Sequence, residues 1–262
     1  MILTFAAMKI LFSFCFVFIV FSAEVYAQVR VTTFGLQVKP MIPSRFNPRS
    51  VETEFKNNVE YSLSKLPGYS FGMVIRRGYT ENFSFEGGIN SVTRNFSLVI
   101  QDNDKNQRIE RDFRIVAYEI PLLMLVFIRL SEEIYMNAAL GGSFDFFPSE
   151  VGIKGDGYQT LSRRNSWAQA AILANVGWEY RTQKSGYFYI GGSFHRPFTA
   201  MYTTGVLYER DQTYDNVYLK MTGNYITLDL RYFFHEDPEP KKRRIKKSES
   251  IYYRPKTAPA KP

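Results

Sequence analysis

A chain of 262 residues suits a single domain of the barrel class, which routinely runs long as one unit. Its aromatic share of 16%, with 23 Phe and 18 Tyr against 2 Trp, exceeds what an ordinary soluble domain needs and fits strands carrying aromatic girdles. Mean hydropathy is −0.23, so no spanning helix is expected beyond the leader; in a barrel the inward polar residues dilute each strand's apolar signal.

The first element is an export leader. Lys9 supplies the positive flank, residues 10–21 form an apolar run interrupted only by Ser13, and Val25-Tyr26-Ala27 offers small residues at the two cleavage positions. That run is too short for a spanning helix, which needs about 20 residues. Residues 1–27 are expected to be removed by cleavage after Ala27, leaving Gln28 at the mature N-terminus. The only cysteine, Cys15, lies inside the apolar run, so the mature chain is expected to hold neither a disulfide nor a Cys-ligated metal.

Eight stretches then alternate apolar and polar side chains with a period of two, at residues 31–39, 68–77, 83–100, 108–122, 134–147, 166–182, 187–196 and 224–234. The sixth is the cleanest: Ala168, Ala170, Ile172, Ala174, Val176, Trp178 and Tyr180 oppose Gln169, Asn175, Gly177, Glu179 and Arg181. In the third the apolar parity slips after Asn90, which reads as a bulge or as the end of a membrane-embedded part. Pro121 tells against an unbroken central strand, and the apolar run 122–130 accepts either a strand end or a short helix, the strand being preferred. Tight turns are expected at 78–82, 131–133 and 183–186; long exposed loops are expected at 40–67, 148–165 and 197–223, with a charged tip at 102–107.

Alternating long and short connections spell an all-β, eight-stranded antiparallel up-and-down transmembrane β-barrel over residues 28–234, with the tight turns and both termini in the periplasm. A soluble β-sandwich or lipocalin-like barrel is the alternative. Against it, the polar faces opposite the apolar ones carry charges, whereas a soluble barrel is dry inside and charged outside.

Eight strands enclose a lumen just wide enough for side chains. The residues assigned inward, Lys39, Arg76, Glu86, Glu119, Glu179, Arg181, Asp229 and Arg231, are four cations and four anions, which points to a paired structural network rather than an ion path. Catalysis has thin support. Ser193 and His195 share a face of the seventh strand, and outer-membrane acyl hydrolases use Ser with His, but no orienting carboxylate stands beside them in sequence. No catalytic, cofactor or metal residues are expected, and no phosphate loop or nucleotide fingerprint occurs. The paired glycines 141–142 and 191–192 read as places where a strand backbone is crowded or bent.

Residues 235–262 form a Pro/Lys-rich tail, expected to be disordered and periplasmic, with nine Lys/Arg against four Asp/Glu. Its basic block, Lys241, Lys242, Arg243, Arg244, Lys246 and Lys247, suits anionic headgroups, cell-wall polymer or an acidic envelope partner; the leader argues against nucleic acid.

The order of leader, strands and loops resembles the bacterial outer-membrane β-barrel domain family, the OmpA/OmpX-like small barrels, in the divergent form common in Bacteroidota. The residues behind the resemblance are Tyr118-Glu119-Ile120-Pro121-Leu122-Leu123, the two glycine pairs and the aromatic close Tyr232-Phe233-Phe234. The resemblance implies outer-membrane lipid around the strands and assembly by the barrel-insertion machinery, which reads an aromatic last strand; here the chain runs 28 residues past Phe234. It also admits a PorT-like accessory role in an envelope complex. The expected function is therefore non-enzymatic, structural or binding, with a small-solute pore and a lipid-modifying enzyme as alternatives.

Overall fold

The structure, a computed structural model, describes residues 31–42, 51–80, 82–182, 185–210 and 213–234. The leader with its cleavage site, and the tail with its basic block, lie outside the described residues. In chain order the strands are β1 (Thr32–Ile42), β2 (Val51–Lys56), β3 (Val59–Gly78), β4 (Phe83–Asp102), β5 (Gln107–Arg129), β6 (Ile134–Phe146) and β7 (Val151–Gly155). They continue as β8 (Tyr158–Arg164), β9 (Ala168–Arg181), β10 (Tyr187–Pro197), β11 (Tyr202–Arg210), β12 (Thr213–Met221) and β13 (Tyr225–Phe233). Among the described residues no helix occurs.

All pairings are antiparallel. One sheet runs β13, β10, β9, β6, β5, β4, β3, with β2 paired to the first part of β3. β1 joins β13 to the remainder of β3, meeting β3 from Thr32↔Arg77 to Met41↔Gly68 and β13 from Gly35↔Phe233 to Ile42↔Ile226. The circuit is not closed evenly. Its β1–β13 seam skips Lys39 and Pro40, and Pro40 has no N–H to give to a ladder. Pro121 has the same effect in β5, where the β4 ladder skips from Gly87↔Leu122 to Asn90↔Glu119 while the strand itself continues. The short connections β3–β4, β5–β6 and β9–β10 gather at one end, as the sequence pattern predicts. But β4–β5, expected among the longer connections, also turns within residues 103–106 at the other end, because both strands extend to meet there.

Side-chain chemistry divides the molecule into two levels. In the lower level the outward residues are apolar: Phe34, Leu36 and Val38 on β1, Phe71, Met73 and Ile75 on β3, Met124, Val126 and Ile128 on β5, with Val176, Trp178, Ile190, Leu228 and Leu230 on the strands between. Inward residues there are mostly polar, and alternation along each strand puts them on the opposite face. The run 122–130 looks ambiguous in sequence because both faces are apolar. Leu123, Leu125 and Phe127 turn inward and pack with Ala139 and Leu173.

The upper level inverts this pattern. After Asn90 the even-numbered residues of β4 still point inward, but they become Val92, Phe96, Leu98 and Ile100, all buried. The parity slip is therefore a change of the inner face from polar to apolar, not a bulge in β4; the register shift lies on β3, between Leu66 and Tyr69. Three segments expected to be exposed loops are strands here. The 40–67 segment contributes the β2–β3 hairpin, 148–165 becomes β7 and β8, and 197–223 becomes β11 and β12. The last four form a second sheet in the order β12, β11, β8, β7.

This second sheet packs against the extended ends of β3, β4 and β5. A single apolar core joins Tyr61, Leu98, Ile100 and Ile115 to Tyr202, Val206, Tyr208 and Leu219. The rings of Tyr61 and Tyr208 meet edge-on at 6.4 Å, and the Tyr208 hydroxyl donates to Asp102 Oδ2 at 3.0 Å. Apolar burial of this kind is what makes a segment a domain layer rather than a loop. Two-residue turns close the hairpins: Asn57 and Asn58 at φ 49° and 64°, and Gly157 at φ 75° after Asp156.

Candidate functional site

The lower lumen holds a lattice of charges. Arg76 donates from Nε and Nη2 to Glu86 Oε2 at 3.2 and 3.1 Å and from Nη1 to Glu179. Arg231 donates from Nη1 to Glu86 Oε1 at 2.5 Å and from Nη2 to Asp229 Oδ2 at 2.8 Å. Lys39 Nζ stands 3.8 Å from Asp229 Oδ2, and Arg181 Nε donates to Glu179 Oε1 at 2.6 Å. Asp229 also accepts from Ser193 Oγ at 2.5 Å and Asn175 Nδ2 at 3.0 Å. Ring faces complete the lattice: the Arg76 guanidinium lies 4.0 Å from the Phe233 centroid and that of Arg181 lies 4.0 Å from the Tyr135 centroid.

Seven of the eight residues assigned inward from sequence thus meet in one network. The eighth, Glu119, does not. It sits higher, where the polar lumen gives way to the apolar core, in a second cluster with Arg94, Asp145, His195 and Tyr225. The sum of four cations and four anions is therefore split: four cations face three anions below.

Five ring strands build the upper cluster, and three of them carry its carboxylates and imidazole. Glu119 of β5 and Asp145 of β6 are directly opposed in the ladder, and His195 of β10 turns its ring toward both; all three are buried. Glu119 accepts from Asn90 Nδ2 at 2.8 Å and from the Tyr225 hydroxyl. Asp145 accepts from Arg94 Nη2 at 3.1 Å and from Ser143 Oγ at 3.1 Å. The His195 ring stacks on Tyr225 with centroids 4.3 Å apart and planes 9° apart, and its Nδ1 faces the Gly223 carbonyl at 3.3 Å. Its Nε2 faces oxygens only: Ser143 Oγ at 3.1 Å, Asp145 Oδ2 and Oδ1 at 3.2 and 3.3 Å, and Glu119 Oε2 at 3.5 Å.

Ser193 and His195 do share the inward face of β10, but the hydroxyl beside the imidazole is that of Ser143, while Ser193 is bound to Asp229. Sequence reasoning missed Arg94, Asp145 and the role of His195. Their signal was available as strand parity: each is an inward polar residue, and among the described residues Glu119, Asp145 and His195 alone combine an imidazole with two carboxylates.

Both glycines at 141–142 are crowded, but the pair at 191–192 is only half so. A Cβ on Gly191 would stand 2.2 Å from the Tyr189 hydroxyl and 2.5 Å from the Val176 carbonyl oxygen, whereas one on Gly192 would meet nothing nearer than 3.5 Å. The bare backbone at Gly191 lets Tyr189 lie across it and donate to Asn175 Oδ1 at 2.7 Å.

No protein-family model matches the sequence, and no curated protein matches it. Among solved structures, the chain is similar to the outer membrane protein OprG from Pseudomonas aeruginosa, with a TM-score of 0.51 at 9% identity over 79% of this chain and 98% of that one. The outer membrane protease OmpT from Escherichia coli also matches, at a TM-score of 0.34 and 10% identity over 81% of this chain and 99% of that one, a likeness too slight to carry argument. What the OprG likeness shows is the fold: an all-β, antiparallel, up-and-down sheet of the outer-membrane barrel kind.

Proposed function

We propose that the circuit of eight strands β1, β3, β4, β5, β6, β9, β10 and β13 is a transmembrane barrel of a bacterial outer membrane, an OmpA/OmpX-like small barrel with a non-enzymatic structural or binding role. The observation that carries the reading is the belt of outward apolar side chains on ring strands whose inward faces carry a charge lattice. Such a belt would be costly in water, and contiguous exposed apolar surface of this extent marks a membrane or partner contact. The leader read from residues 1–27 supports export. Barrels of this class keep their short turns in the periplasm, which turns the second sheet to the outside of the cell.

The lumen supports a binding role over a pore. Charges below are paired, and the apolar core above lies across the same axis, so ions meet first a lattice and then hydrocarbon. The second sheet is the element placed to meet an extracellular or envelope partner. Planar-bilayer recording on the refolded chain tests this: a silent bilayer agrees with it, and reproducible single-channel steps overturn it in favour of a small-solute pore.

A further inference from the structure

We propose that Glu119, Asp145 and His195 form a site for one divalent transition-metal ion of the zinc class, set at the boundary between the charge lattice and the apolar core. The argument begins with the ladder. Two carboxylates directly opposite each other repel, and this pair is fully buried, where an unbalanced charge costs several kcal/mol. Arg94 answers one of them. The surplus cation of the lower lattice, Arg181, is partly exposed at the other end of the barrel, so it does not answer the second.

The imidazole fixes where the missing charge belongs. With Nδ1–H donating to the Gly223 carbonyl, Nε2 presents its lone pair to both carboxylates and to Ser143 Oγ, an arrangement that a cation seated among them makes favourable. This is how metal-binding histidines are held: the far ring nitrogen gives its proton to a carbonyl and so fixes the tautomer. A charge-assisted N–H···O bond draws its atoms to about 2.7–2.9 Å. Nε2 instead stands 3.2 and 3.5 Å from the nearest oxygens of the two carboxylates. Those separations match the edge of a tetrahedron with metal–ligand bonds of about 2.0–2.1 Å, roughly 3.3 Å.

The shell around the ligands is complete. Asn90 and Tyr225 hold Glu119, Ser143 and Arg94 hold Asp145, and Tyr225 backs the imidazole. One nitrogen and two carboxylate oxygens suit zinc, iron(II) or manganese(II) over calcium, which takes oxygen ligands, and over copper(I), which takes sulfur. The ion would staple β5, β6 and β10 together beneath the second sheet.

The test uses the full mature chain refolded in detergent, loaded with Zn²⁺ and dialysed, with metal counted by mass spectrometry. The expected result is about one zinc per chain, lost in His195→Ala and Glu119→Gln and retained in His235→Ala. Asn90→Ala, which touches only the shell, should weaken binding by about 10–100-fold. Cobalt(II) in the unaltered chain should give the intense visible bands of a low-symmetry, imidazole-ligated ion, a readout that stands even where a variant does not fold. A folded chain that retains no zinc and leaves cobalt(II) with the spectrum of the hydrated ion overturns the proposal. Zinc that survives in folded His195→Ala overturns it equally.

Discussion

Arg231 and Glu86, 145 residues apart in sequence, meet inside the barrel with Nη1 2.5 Å from Oε1. Neither touches lipid or bulk water, and the same guanidinium holds Asp229. Arg231→Met should therefore strip Glu86 Oε1 and Asp229 Oδ2 of a buried donor, leaving Arg76 and Lys39 as the cations beside them. Removing one partner of a buried pair costs about 3–5 kcal/mol. Urea titration of the heat-modifiable folded band should show the loss, and Arg231→Met with Glu86→Gln should recover part of it.

Two glycines side by side predict opposite outcomes. Gly191→Ala drives a methyl group into the Val176 carbonyl oxygen and the Tyr189 hydroxyl and should cost about 1–3 kcal/mol. Gly192→Ala meets no atom closer than 3.5 Å and should change stability by less than about 0.5 kcal/mol. The same titration compares them directly.

Surface exposure alone does not separate Ile190, 51% exposed on β10, from Leu207, 40% exposed on β11. The membrane does. Ile190→Arg places a charge in the apolar belt, at a cost of about 2–4 kcal/mol near the bilayer midplane. Leu207→Arg lies on the second sheet and should be nearly neutral. Folding yields into lipid vesicles, with detergent as the control, read the difference.

The barrel was legible in sequence and the second sheet was not, for one physical reason. Strand parity in the lower level follows an apolar outer face and a polar inner one, so Ala168 to Arg181 reads cleanly. Above Asn90 the inner face turns apolar, and on β4 that change looks like a slipped register. The short strands β7, β8, β11 and β12 were hidden among polar residues, although Asn57-Asn58 and Asp156-Gly157 are turn pairs that announce hairpins. The upper cluster was half legible: parity marks Glu119, Asp145 and His195 as inward polar residues, but they come from three strands, and only the ring closure brings them to one level.

The hairpin tip between β4 and β5 carries a pH dependence. Burial works to raise the Asp102 carboxyl, but the backbone N–H groups of Lys105 and Asp104 and the Tyr208 hydroxyl outweigh it and hold it below the usual carboxylate range. A depressed folded value means the stabilisation is present above the ordinary carboxylate value and is lost as pH falls through the folded one. Hydrogen exchange in β11 and β12 should therefore quicken on acidification below that range. In Asp102→Asn it should be faster at neutral pH and less dependent on pH across the same window.

The central claim is that the apolar belt crosses a membrane with the second sheet on one side and the tight turns on the other. Cys15, in the leader, is the only cysteine, so single cysteines introduced elsewhere report cleanly. Tyr214→Cys on β12 and Ser131→Cys in the β5–β6 turn should be treated in intact cells with a membrane-impermeant maleimide. The account predicts labelling at position 214 at once and at position 131 only after the outer membrane is breached. Labelling of both positions in intact cells, or of neither until the cells are opened, would contradict it.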